Sequence, residues 1–274
     1  MNTEPIVTGH PQTDDTDLLV DTAQLAALVI LENGGETFRA EETAVILCHA
    51  AGRAETEVFA LPHGIFITAE RRDGSKVSSV VRTKSRSTNL FKVERVNVYS
   101  RAFVSGTLSL EELNDKLNEL RHAARYRPAF IAMAAGLSSA MFSLLFEETL
   151  TVTVLWDLAV TLVCAFVAQY VSLSSRLKNA YQFTVTFVAS VLIGLIAVLL
   201  VWFVGCGNLS CIIIGSITPL LPGLSLTNAI RDTVMGDILS GTVRIVETLL
   251  VAVAIAGGIG LVLAGYVSLL GGVL

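Results

Sequence analysis

Polar and apolar positions change their rhythm several times along this chain. Leu18, Leu25, Ala26, Leu28 and Val29 recur at helical spacing, which predicts an amphipathic helix over 16–33, stopped by Gly34-Gly35. A second helix is expected from Thr37, a good N-cap residue, to Gly52. The period then shortens. Segments 57–60, 64–70 and 76–82 favour β-branched or aromatic residues, punctuated by Pro62, Gly64 and Asp73-Gly74. Asp73-Gly74 between two such runs predicts a hairpin. Helix returns over 91–105. Ser109-Leu110-Glu111-Glu112 reads as a capping box, opening a helix with Leu110, Leu113, Leu117 and Leu120 along one face.

Beyond residue 127 the polar positions nearly vanish. Ala129–Phe146, Val152–Leu173 and Phe183–Val204 are apolar runs of bilayer-spanning length. Cys211–Leu226 is shorter and carries Gly215, Pro219, Pro222 and Gly223. Proline removes a backbone donor and clashes with the preceding turn, so this fourth segment is expected to break. Broken helices at membrane depth persist where protein or a watery cavity satisfies the freed backbone, a common device at transporter substrate sites. A last span is expected near Ile245–Leu270, in which Ala252, Ala256, Gly260, Ala264 and Ser268 recur every four residues and Gly272 continues the line. Such a stripe admits close approach of another helix, from this chain or a partner.

Composition sharpens this division. The 274 residues are 53% hydrophobic and only 16% charged, and most of the charge lies before residue 128. Two environments follow, water first and lipid afterwards. The net charge of −5 gives no reason to expect nucleic acid. The first stretch is polar and acidic, unlike a signal peptide, which places the N-terminal half in the cytoplasm. Arg121, Arg125 and Arg127 before the first span, Glu147-Glu148 after it, and Arg176 with Lys178 after the second fit an inside-to-outside start. The expected architecture is therefore a membrane protein. A disordered tail (1–15) precedes a cytoplasmic α+β N-terminal domain (16–127), followed by an all-α bundle of about five transmembrane helices (128–274), with the C-terminus periplasmic.

The ionisable groups of the membrane half gather in 228–247. Asn228, Asp232, Gly236, Ser240 and Arg244 are each four apart and share one face if the stretch is one helix. Arg231, Asp237 and Glu247 lie on or beside that face, and Arg244 and Glu247 are spaced to pair. Charges within a membrane face a cavity or one another, whereas on a cytoplasmic loop helix they are merely solvated. With Pro219, Pro222 and Gly223 these residues form the candidate substrate path. Asp157, one turn inside the second span, is either an interfacial carboxylate or a relay. Cys48 and Cys164 sit among apolar residues as small hydrophobes, while Cys206 and Cys211 flank a turn and are either bridged or separate thiols. No HExxH or CxxC spacing occurs, so no metal or cofactor site is legible. Val234-Met235 before Gly236-Asp237 breaks a GxGD protease motif, and Ile238 before Leu239-Ser240-Gly241 breaks a rhomboid GxSG motif. An enzyme is not expected.

The run LLPGLSLTNAIRDTVMGDILSGTVRIVETLL (220–250) closely resembles the PG…TNAIRD…GD…SG..R..E signature of the threonine/serine exporter family. ENGGETFRAEET (32–43) resembles its G-x-E-T-x-R-x-E-x-T segment, and SRSTNLFKVERVN (85–97) fits a third position. The resemblance covers Pro222, Gly223, Thr227, Asn228, Ala229, Arg231, Asp232, Gly236, Asp237, Ser240, Gly241, Arg244 and Glu247. It implies export of a small solute across a bacterial inner membrane. Because the family has fused members of about ten spans and split members, a chain of five spans resembles the larger subunit of the split form. That form implies a small membrane partner subunit, a possible higher oligomer, and a carboxylate solute such as succinate, with threonine or serine as the alternative. A membrane-anchored ligand sensor is the reading of a different class.

Overall fold

The computed structural model describes residues 15–83, 87–123, 126–147, 152–174, 181–204 and 207–270. Most of the expected tail, together with Ser85, Arg86, Arg125, Glu148, Arg176, Lys178, Cys206 and Gly272, lies outside the described residues. Contacts divide the chain into two compact units: one comprises the described residues up to Ala123 with Leu224–Ile245, the other Ala124–Gly223 with Val246 onwards.

The first unit is built around α1 (Thr16–Glu32), which is buried along nearly its whole length. Around it stand α2 (Thr37–Ala50), α3 (Leu90–Val104), α4 (Leu110–His122) and a three-stranded sheet. The strands β1 (Thr56–Leu61), β2 (Gly64–Glu70) and β3 (Lys76–Arg82) form an antiparallel meander with β2 central. Ile65, Ile67 and Ala69 alternate inward onto α1, while Phe59 and Phe66 pair on the outer face. The expected Asp73-Gly74 turn joins β2 to β3, with Gly74 at φ +81°. The expected capping box is complete: Ser109 accepts from the Glu112 amide, and the Glu112 carboxylate accepts from Ser109 N–H. Burial pushes the Cys48 thiol up to about 11, which agrees with a small hydrophobe in the core.

One expected boundary moves. Thr37 is the first helical residue of α2, and Glu36, in extended backbone, precedes it as the cap position. Gly34, at φ +90°, ends α1 in a Schellman motif, with Gly34 N–H on Leu31 O and Gly35 N–H on Ile30 O. This stop leaves only Gly35 and Glu36 before the next helix begins.

The second unit contains α5 (Pro128–Ser143), α6 (Val152–Ser172), α7 (Gln182–Val204), the short α8 (Leu209–Ile217) and most of α10 (Ile238–Leu270). A 3₁₀ turn extends α5 to Phe146, and another, Thr218–Leu220, extends α8. Among the described residues, four helices are long and apolar enough to cross a membrane by themselves: Pro128–Phe146, Val152–Ser172, Gln182–Val204 and Ile238–Ser268. The proline-containing segment makes a fifth only if Leu209–Leu220 and α9 (Gly223–Val234) count as one broken span. Glycines let the helices close up. A Cβ on Gly136 would meet Leu162 O at 2.8 Å, and one on Gly258 would meet Ser190 Cβ at 2.8 Å and Phe187 O at 2.9 Å. The stripe Ala252, Ala256, Gly260 and Ala264 is exposed, and the bundle is met by Val251, Ala254, Ile255 and Ile259 instead.

Candidate functional site

The polar stretch 228–244 is two helices, not one. Gly236, at φ +99°, ends α9 in a second Schellman motif, with Gly236 N–H on Thr233 O and Asp237 N–H on Asp232 O. Asp237 then caps α10 at once, its Oδ1 accepting from Ser240 N–H at 3.1 Å. Stop and start occupy adjacent residues, so the expected single face folds back on itself. Gly241 makes that possible, because a Cβ there would lie 2.9 Å from Ala229 O.

The hairpin brings its polar groups onto the Gly34–Thr37 linker. Asn228 Nδ2 donates to Gly34 O at 2.9 Å. The Asp232 carboxylate sits at the N-terminus of α2, accepting from Thr37 N–H and from Thr37 Oγ1, each at 3.1 Å. An anion there is favoured by unsatisfied amides and by the helix dipole. Arg244 completes the knot. Its Nη2 donates to Gly35 O at 3.0 Å and to Thr37 Oγ1 at 3.3 Å, while Nε lies 3.2 Å from Asp232 Oδ2. That last contact is held by charge and not by hydrogen-bond alignment, since Nε makes no hydrogen bond by geometry. Asp232 is 0% exposed and Arg244 8%, so two charges taken out of water compensate each other.

The remaining expected residues fall around this knot or away from it. Arg231 pairs with Glu36, whose other flank meets Arg39 Nε at 3.8 Å. Ser240 Oγ donates to Ala60 O at 3.5 Å, and Ala60 N–H donates to Glu41 Oε1 at 2.7 Å. Burial pushes the Glu41 carboxyl above its ordinary range, the Ala60 bond opposes this, and the charges of Asp237 and Asp232 add to the rise. Asp237 Oδ2 is buried with no hydrogen-bond partner among the described residues. Pro219, Pro222, Gly223 and Glu247 belong to the membrane unit. There Asp157 is 2% exposed, and both its oxygens lie 3.2 Å from Asn208 N–H. Cys211 Sγ donates to Phe146 O, while Cys206, its considered disulfide partner, is not among the described residues.

Glu36 and Thr37 were legible as a motif but not as partners of 228–244; their position straight after a double-glycine stop was the available signal. The third segment joins the same place, with Ser87 N–H on Glu32 O at 2.8 Å and Asn89 N–H on Asn33 O at 3.0 Å. Three stretches far apart in sequence therefore meet at one helix-to-helix linker.

Several apolar helices of spanning length, joined to a domain with a small sheet and a buried charge knot, define a multi-pass membrane protein. The family model described as "Putative threonine/serine exporter" (ThrE) matches residues 21–266, and the chain belongs to that family of membrane exporters. Comparison with curated proteins and with solved structures returned no match.

Proposed function

We propose that this chain exports threonine or serine across a bacterial inner membrane, with its N-terminal domain cytoplasmic and its C-terminus periplasmic. One observation supports a role for the knot in that transport. The three motif segments converge on a carboxylate held by a helix N-terminus and an arginine. The α-carboxylate of an amino acid has the same chemistry as the Asp232 side chain, so it can compete for Thr37 N–H and Arg244. Asp232 holds those groups, and its displacement would loosen the α9–α10 hairpin. The basic Arg121 and Arg127 just before the first span support the orientation.

A small membrane partner, or a second copy, is proposed for the exposed stripe Ala252, Ala256, Gly260 and Ala264. A Cβ on Gly260 would meet nothing within 4 Å, so its surface is open to another helix.

Efflux of threonine, serine and succinate, normalised to inserted protein and measured with and without a co-expressed small subunit, tests this reading. Threonine or serine efflux that falls at least tenfold for Arg244→Lys is expected, since an ammonium cannot reproduce the guanidinium fork. Succinate efflux alone, or wild-type rates for Arg244→Ala, would sink it.

A further inference from the structure

Hydroxyls in helices ordinarily turn back onto a carbonyl three or four residues earlier. Ser138, Ser143, Ser190 and Ser216 all do so in the membrane unit. Ser139 on α5 and Thr161 on α6 do not. Both residues are 0% exposed, and neither hydroxyl has a hydrogen-bond partner among the described residues. An unmade hydrogen bond in an apolar bundle is costly, so two such groups on neighbouring helices require a reason.

They flank the same point on α8. A Cβ on Gly215 would lie 2.5 Å from Ser143 Cβ, 2.9 Å from Thr161 Cγ2 and 3.2 Å from Ser139 O. Asp157 stands one helical turn from Thr161 on the same face of α6. It is buried and held only by the Asn208 amide, and no arginine or lysine pairs with it among the described residues. Trp156 Nε1, beside it, is also buried without a hydrogen-bond partner among those residues. Positions four apart on a helix are separated by about 6 Å of rise, which one small molecule bridges with a hydrogen bond at either end.

We propose that Ser139, Thr161 and Asp157 form the intramembrane recognition site for a small hydroxylated amino acid, with the hydroxyls of α5 and α6 reading the side-chain hydroxyl and Asp157 holding the ammonium. This rests on the export of threonine or serine and names the residues that would select them. The hydrogen bonds these hydroxyls do not make within the described chain are those the solute completes. A site built to bond a hydroxyl rejects the isostere lacking one far more strongly than an apolar pocket rejects an added hydroxyl. Threonine and valine are such a pair.

The test uses the purified full chain and proteoliposomes made from it. Wild type should show a threonine-dependent rise in Tm and transport threonine in preference to valine. Thr161→Val removes a hydroxyl with no partner, so the Tm without solute should not fall. The threonine-dependent shift should disappear, and threonine transport should drop about tenfold or more, the scale of one buried hydrogen bond to solute. Thr161→Ser should restore most of both, and Ser139→Ala should lower the threonine-to-valine preference. Wild-type threonine transport with an unchanged threonine-to-valine ratio in Thr161→Val and Ser139→Ala overturns the inference and leaves the export reading standing. A fall in the solute-free Tm that matches the transport loss also overturns it, because Thr161 is then structural. If wild type neither binds nor moves threonine or serine, the export reading itself fails and takes this site with it.

Discussion

One cluster in each unit holds its buried polar groups differently. At the linker of the N-terminal unit, Thr37, Asp232 and Arg244 bond or pair with one another and Asn228 donates to Gly34 O, while Arg244 Nε and Asp237 Oδ2 make no hydrogen bond among the described residues. In the membrane unit, Ser139 and Thr161 are buried just as deeply, yet their hydroxyls have no partners among the described residues. A satisfied buried network rigidifies what it joins, whereas an unmade hydrogen bond carries a cost that a bound solute would relieve. The first arrangement suits a latch and the second a recognition site. The distinction is testable because removing one member of each has different consequences.

The largest effect should come from Asp232→Ala. It removes the buried carboxylate that faces the Arg244 guanidinium and the acceptor at the start of α2, which should cost about 3–5 kcal/mol. Denaturation of the purified chain, followed by a probe in the N-terminal unit, reads this directly. A loss below about 1 kcal/mol, the ordinary value of an exposed pair, would show that the knot is open to solvent and not a latch.

The same substitution in each unit sharpens the comparison. Thr37→Val removes the hydroxyl that donates to Asp232 and accepts from Arg244, leaving the Thr37 N–H bond, and should destabilise by about 1.5–3 kcal/mol, the range for hydrogen bonds to charged groups. Thr161→Val makes the same chemical change where no partner exists, and should leave the solute-free protein no less stable. Equal losses at both positions would erase the difference between the units. Gly215→Ala follows in size. Its Cβ would meet two carbon atoms, Ser143 Cβ at 2.5 Å and Thr161 Cγ2 at 2.9 Å, and overpacking of this kind costs about 1–3 kcal/mol. Insertion-normalised Tm measures it, and an unchanged Tm would mean that α8 is loosely seated.

Much of the fold was legible because its signals are local. The Ser109 capping box, the Asp73-Gly74 hairpin and the first three apolar runs of spanning length each depend on a few neighbouring residues and stand where expected, whereas the last helix begins at Ile238, before the expected Ile245. The knot was legible only by half. The candidate residues of 228–244 were visible as a polar stretch, but their partners lie some two hundred positions away, as in the Asp232–Thr37 bonds. Periodicity contains nothing about such pairings. It also gave no sign of the break at Gly236, where four polar positions and this glycine at intervals of four would share one face of a single helix. A Gly-Asp pair that stops one helix and caps the next was equally readable there. Ser139 and Thr161 were invisible for another reason. A serine or threonine in an apolar run is ordinary, and only the absence of back-bonding sets these two apart.

The smallest effect belongs to Glu41, at the edge of the knot. Its Oε1 accepts from Ala60 N–H, and the negative groups Asp237 and Asp232 lie near it. Burial is the largest influence, and it raises the folded carboxyl above its ordinary value of 4.5. The folded state therefore binds this proton more tightly than the unfolded chain does. Stability from this group is fully present below 4.5 and is lost as pH rises through the folded value. Glu41→Gln keeps the acceptor for Ala60 and removes the titration. The stability difference between wild type and Glu41→Gln should be flat below 4.5, and wild type should then lose ground to the variant as pH rises towards neutrality. Tm measured against pH for both proteins provides the curve. Parallel curves above 4.5 would mean that Glu41 titrates alike in folded and unfolded chains, and that the edge of the knot is wetter than its centre. Diverging curves would extend the knot from the α2 N-terminus to the first strand of the sheet.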